Sequence, residues 1–243
     1  MKKSLLAATV AIVALGTFGG ATSALATDWT GWYAGLNVGV ATSNTGWDNL
    51  VNPSLPGAGL PGQKVFSVTR SGFTGGGQVG YNDQMGIWVL GVEAGINATD
   101  EGSSVTCLGG YQDYHATCST RSAWNGDIAL RAGGTVGPAL LYVKAGGAFG
   151  DLNSKALNVN DGGSTLGGYM PSSSTPFGFL FGIGAELAFT DDVSGAIEYN
   201  YTSLSGTANM VPVSGSDTEI VLPFHVHVTQ DASVVVAKLN FKL

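Results

Sequence analysis

The sequence predicts an all-β fold, an eight-stranded antiparallel transmembrane up-and-down β-barrel of an outer membrane, on three observations. Hydrophobic alternation of period two recurs in eight segments, and the connections between them alternate strictly between very short and very long. The apolar face of each segment is opposed by glycine, alanine and a few charges. Composition agrees: of 243 residues, 38 are glycine, 44% are hydrophobic and 11% are charged, against an ordinary charged share of roughly 25%. A net charge of −7, with no basic run after Lys3, excludes nucleic acid as a partner, because binding a phosphate backbone needs a basic footprint. After residue 20 no stretch approaches the ~20 consecutive apolar residues of a spanning helix, so strands must make any crossing.

Taken from the N-terminus, Lys2 and Lys3 form a positive start, Leu5 to Gly20 an apolar stretch, and Ala24-Leu25-Ala26 a small-x-small cleavage site. Residues 1–26 are therefore expected to be a cleaved secretory signal peptide and 27–243 the barrel domain. Export sets the redox context for Cys107 and Cys118, which lie in a polar stretch. A disulfide between them is favoured over a metal site, since His115 is the one further ligand nearby and a structural zinc takes four.

The eight alternating segments run over 29–40, 70–82, 86–98, 121–136, 138–150, 175–190, 192–204 and 230–243. Those after the even strands are joined by Asp83-Gln84-Met85, by Gly137 and by Asp191; those after the odd strands by 41–69, 99–120, 151–174 and 205–229. A soluble β-sandwich has no reason for that rhythm, because both its ends face water and its crossovers scatter loop length. Outer-membrane barrels have short periplasmic turns, long outer loops and an even strand number. The faces fit as well. Between 177 and 189 the odd positions are Phe177, Phe179, Phe181, Ile183, Ala185, Leu187 and Phe189, whereas the even ones are mostly glycine and alanine, as a narrow lumen requires. Trp29, Trp32, Trp88, Trp124, Phe149, Tyr199 and Tyr201 fall near segment ends, where interface girdles lie.

With apolar side chains toward lipid, alternation puts Glu93, Arg131, Lys144, Glu186, Glu198 and Lys238 into the lumen, one on each of the third to eighth strands. They are three acids against three bases, each four to eight residues from the nearest periplasmic turn or the C-terminus. Two readings stay open: a salt-bridge network that fills the lumen, with Arg131 paired directly to Glu93, or loosely paired charges in a wet channel.

The stretches TDWTGWYAGLNVGV, GVEAGINATD, RAGGTVGPALLYVKAGGAFG and GIGAELAFTDDVSGAIEYNYTSLSG together resemble, in order and spacing, the small porin-family outer-membrane immunogenic proteins of alphaproteobacteria. The resemblance spans most strands and fails in the loops. It implies an abundant, surface-exposed eight-stranded barrel tied to envelope integrity, with porin-like or haem-binding behaviour in some members. One departure is the ending Asn240-Phe241-Lys242-Leu243 in place of a terminal aromatic, which weakens the signal read by the barrel assembly machinery.

Chemistry has little to stand on. An esterase needs a nucleophile with a base in reach, and His115, His225 and His227 all fall in expected loops. His225 and His227, two apart in Pro223-Phe224-His225-Val226-His227, point to one side of an extended segment and could touch a metal or haem, although two ligands without a third are weak. The expected function is therefore non-enzymatic and without cofactor: an envelope-structural barrel with a surface-interaction role. Its partners are outer-membrane lipid and lipopolysaccharide, the assembly machinery, and an extracellular partner met through the long Gly/Ser/Asn/Pro-rich loops. A narrow channel for small solutes is the first alternative, a haem- or ligand-binding surface barrel the second, and a lipid-modifying enzyme the third.

Overall fold

The structure, a computed structural model, describes residues 27–50, 64–108, 114–161, 164–165, 169–210 and 224–243. The leader expected at 1–26 lies outside the described residues. Among the described residues eleven strands follow in chain order: β1 (Gly31–Leu50), β2 (Lys64–Met85), β3 (Trp88–Leu108), β4 (Tyr114–Val136), β5 (Ala139–Gly150), β6 (Leu152–Asp161), β7 (Ser164–Thr165), β8 (Tyr169–Ser174), β9 (Phe177–Ala188), β10 (Val193–Met210) and β11 (Phe224–Lys242). Eight of them, β1 to β5 and β9 to β11, form an antiparallel ring in chain order. It is closed by β1 against β11 from Tyr33↔Lys242 to Leu50↔His225. Closure leaves that ring of eight without an open edge, which a lipid environment without hydrogen-bonding partners demands. The short β6 and β8 continue β5 and β9 outward, β6 pairing with both β4 and β8.

Alternation sorts the side chains. Phe177, Phe179, Phe181 and Ile183 of β9 and Leu36, Val38 and Val40 of β1 are exposed on the outer face, while the residues between them turn into the lumen. Large apolar residues exposed in such a continuous band are the mark of a lipid-facing surface. At its inner edge Trp32 and Tyr81 pack with ring centroids 5.3 Å apart.

The periplasmic turns are tight. Gly86 (φ 65°) and Gly137 (φ 59°) occupy the first central position of two-residue hairpin loops, where a positive φ lets the turn match the twist of its strands. The first of these turns is Gly86-Ile87, not the expected Asp83-Gln84-Met85, because β2 stays paired through Met85↔Trp88. Between β9 and β10 the Thr190 hydroxyl accepts from the N–H of Asp192 and of Val193, at 3.3 and 3.1 Å.

The larger correction lies at the other end. A strand needs about 9–11 residues to cross a bilayer, yet β1 to β4 hold 20, 22, 21 and 23. Much of what the sequence marks as loop is strand that continues past the membrane. His115 lies in β4, and His225 and His227 in β11, rather than in loops; His227 stands across from Asp48 of β1 and Thr207 of β10. The reason is that above the lipid both faces can be polar, so pairing persists after hydrophobic alternation has faded. On the outer face Thr42 Oγ1 meets Ser71 Oγ at 3.1 Å, and Asn44 Nδ2 donates to Thr69 Oγ1 at 3.0 Å. Cross-strand pairs of this kind stabilise a sheet without apolar burial. In the same region Val105 pairs with Cys118, and Cys107 with Ala116. The side chains of Cys107 and Cys118, and so the expected disulfide, lie outside the described residues.

Residues 27–30 precede β1 and fold into the periplasmic mouth. Trp29, expected in the interface girdle, is instead buried against Val89, Leu140 and Tyr142. The Trp29 backbone N–H donates to Gln84 Oε1 at 2.9 Å, and Lys242 Nζ donates to the Asp28 carbonyl at 3.0 Å. The Thr30 N–H, 2.9 Å from Asp28 Oδ1, holds that carboxyl below the usual aspartate range. Removing a buried Trp side chain from a core costs roughly 3–5 kcal/mol, but a terminal segment can detach as a unit. Trp29→Ala should therefore cost less, about 2 kcal/mol of unfolding stability in urea. It should also speed exchange of the Tyr33 hydroxyl and nearby amides with water, as hydrogen-exchange NMR would show.

Candidate functional site

The lumen at mid-height is closed by side chains from every strand of the ring. Glu93 of β3, Arg131 of β4, Lys144 of β5, Glu186 of β9, Glu198 of β10 and Lys238 of β11 are all buried, Glu93 and Glu198 at 1% and 0% exposure. Four of them form a ring. Glu93 Oε1 accepts from Lys144 Nζ at 3.0 Å and from Lys238 Nζ at 2.7 Å, while Glu198 holds Lys144 through Oε1 at 2.9 Å and Lys238 through Oε2 at 2.8 Å. Each ammonium thus sits between two carboxylates, and each carboxylate between two ammoniums. Buried charges persist only when paired and hydrogen-bonded in this way.

Arg131 and Glu186 form a second unit. Their Nη2 and Oε2 are in direct contact, and Glu186 Oε1 also accepts from Ser194 Oγ at 2.5 Å and Asn240 Nδ2 at 2.7 Å. The guanidinium lies over the Tyr142 ring, 3.7 Å from its centroid, a placement that draws on the ring quadrupole. The expected direct pair of Arg131 with Glu93 is not made. Tyr33 stands between them, its hydroxyl accepting from Arg131 Nη1 at 3.2 Å and donating to Glu93 Oε2 at 2.9 Å. Tyr142 links the units on the other side, donating to Glu198 Oε2 at 2.6 Å. From β2, Gln78 Nε2 reaches Asn240 Oδ1 at 2.8 Å.

Asp127, Tyr33, Tyr142, Gln78 and Asn240 also belong to this layer, beyond the one charge per strand that alternation assigns to the lumen. Their parity was a signal. Asp127 is four residues from Arg131, Tyr142 two from Lys144, and Tyr33 in step with Asn37, so each falls on the lumen face. Inward-facing glycines make room for them. A Cβ at Gly184 would collide with the Tyr142 ring, and one at Gly182 would stand 2.9 Å from Lys144 Cγ.

A closed ring of eight antiparallel strands, apolar outside and filled with paired charge inside, defines a transmembrane β-barrel of the outer-membrane type. Comparison with known proteins agrees. The family model described as the outer membrane protein β-barrel domain matches residues 10–224, and the chain belongs to that family. It is 34% identical over 207 residues to the 31 kDa outer-membrane immunogenic protein of Brucella melitensis, covering 81% of this chain and 80% of that one. It is also 34% identical over 150 residues to the 22 kDa outer membrane protein of Rhizobium leguminosarum bv. viciae, 61% of each. Among solved structures, the outer membrane protein OprG of Pseudomonas aeruginosa shares the fold at TM-score 0.50 and 12% identity, over 90% of this chain and 100% of that one. The protein is thus a small outer-membrane barrel, similar to those of alphaproteobacteria, and sits among outer-membrane lipids.

Proposed function

We propose that the protein is a non-enzymatic, envelope-structural barrel that presents tall, polar strand extensions at the cell surface and does not conduct. The observation that supports this reading is the layer across mid-lumen. Glu93, Lys144, Glu198 and Lys238 are mutually bonded from opposite walls, with Tyr33, Tyr142 and the Arg131–Glu186 pair directly beside them. An interior of eight strands is just wide enough for side chains to fill, and here they are tied to one another. Below the layer Trp29 packs into the periplasmic mouth. Long polar extensions favour contact with an extracellular partner, because exposed outer segments vary freely on a rigid barrel.

Conductance tests the reading. In planar lipid bilayers the refolded barrel should be silent, and a variant with Arg131 and Lys144 both replaced by alanine should pass current in discrete steps. Steady channels from the unaltered protein would make a narrow pore the better reading.

A further inference from the structure

The ion-pair ring is the floor of a chamber. Outward of it the lumen opens into a pocket that is continuous with solvent and has room for a small molecule of a few heavy atoms. Its lining is mixed. Leu180, Leu204 and Val234, from β9 to β11, form an apolar strip among polar neighbours such as Asn200 and Gln230; Asn37, Thr74, Thr99 and Asp127 come from β1 to β4.

The β1 to β4 side presents acceptors, and the floor dictates this. A carboxylate only accepts, so Asn240 turns its Nδ2 to Glu186 and its Oδ1 away. Gln78 Nε2 donates to that oxygen, which leaves Gln78 Oε1 to accept from Asn37 Nδ2 at 2.9 Å. Asn37 Oδ1 ends this relay without a partner among the described residues. Thr74 and Thr99 direct their hydroxyl protons to the carbonyls of Ala98 and Ser122, at 3.3 and 3.0 Å, and keep oxygen lone pairs for the chamber.

Charge points the same way. Asp127 adds a fourth carboxylate to Glu93, Glu186 and Glu198, against the three cations Arg131, Lys144 and Lys238 of the layer. Its contact with Lys144, 3.5 Å, is the longest ion pair there. Arg70, also buried in the lumen wall, bonds Thr45 Oγ1 at 2.8 Å. It lies eight residues along β2 from Gln78, the position level with Gly95 and Asp127. At about 3.3 Å per residue that is about 26 Å along the strand.

We propose that this chamber binds a small amphipathic organic cation, a primary ammonium on a short apolar body, with the ammonium at Asp127 and the body along Leu180, Leu204 and Val234. An ammonium carries three donors and no acceptor, which complements the acceptors Asn37 Oδ1, Thr74 Oγ1 and Thr99 Oγ1 beside the Asp127 carboxylate. The apolar body gains affinity by leaving water, a gain closed to an inorganic cation.

The test is a titration of the refolded 27–243 chain in detergent micelles with n-butylammonium chloride, followed by backbone amide NMR. n-Butanol and sodium chloride serve as comparison probes. Butylammonium should shift the amides of Asp127, Leu180 and Leu204 saturably, and butanol and sodium should not. Asp127→Asn should weaken binding by about tenfold or more, as expected for loss of a charge-assisted contact. Ala232→Phe, which fills the chamber and leaves the ion-pair ring untouched, should abolish it. Folding of each variant is checked by its altered mobility on an unboiled gel. No saturable shift in the unaltered protein, an equal response to sodium, or full binding by folded Asp127→Asn would each overturn the proposal. The readout does not involve current, so such a failure leaves the closed-barrel reading standing.

Discussion

Arg131→Ala is expected to lower the unfolding free energy of the barrel by about 3–5 kcal/mol, the usual cost of leaving one member of a buried ion pair alone. Glu186 would keep its bonds from Ser194 and Asn240 but lose the only cation it contacts among the described residues. The same substitution in a Glu186→Ala background should cost much less, because the uncompensated charge is then absent. A double-mutant cycle by urea unfolding in lipid vesicles measures the difference. The matching cycle of Arg131 with Glu93 should show weaker coupling, since Tyr33 carries that link through two hydrogen bonds. Equal coupling in both cycles would contradict the pairing described here. Additivity in the Arg131–Glu186 cycle would contradict it more directly.

Glu93→Ala is the second substitution of large expected effect. Glu93 Oε1 is shared by Lys144 and Lys238, and Oε2 holds the Tyr33 hydroxyl. Its loss leaves Lys238 with Glu198 alone and Lys144 with Glu198 and the longer contact to Asp127, and removes an acceptor from a buried tyrosine, again about 3–5 kcal/mol. Adding Lys238→Ala to Glu93→Ala should recover part of that stability, because Lys144 then has Glu198 to itself. Destabilisation that grows with the second substitution would mean that the ammoniums act independently of the ring. Unfolding midpoints in urea, read from tryptophan fluorescence, decide between these outcomes.

The legibility of the site followed parity. On a strand, residues two apart share a face, so knowing that Phe179 and Phe181 meet lipid is enough to send Glu186 and Lys144 inward. The same rule reaches Asp127, Tyr33 and Tyr142, but one charge per strand leaves out a second charge on β4 and the uncharged tyrosines of β1 and β5. By its place at a segment end Trp29 reads as a membrane-interface residue, as tryptophans near strand ends often are. In fact the backbone before β1 has left the sheet, and its ring packs on Val89 and Leu140 inside the mouth. The strand extensions were illegible for a different reason. Thr69, Thr42 and Asn44 read as loop by residue type, whereas backbone pairing holds them in the sheet.

What the sequence by itself determined is the crossing of the membrane by eight strands, their order, the sides of the short turns and the face on which each charge lies. These are local matters, set by period two and by turn residues such as Gly86 and Gly137. Only the closed ring decided which charge meets which. Arg131 on β4 finds Glu186 on β9, and Lys238 on β11 finds Glu93 on β3, across a lumen whose geometry depends on the joining of β1 to β11. Partner choice inside a barrel depends on strand tilt and register summed around the whole circumference, and no single segment carries that sum.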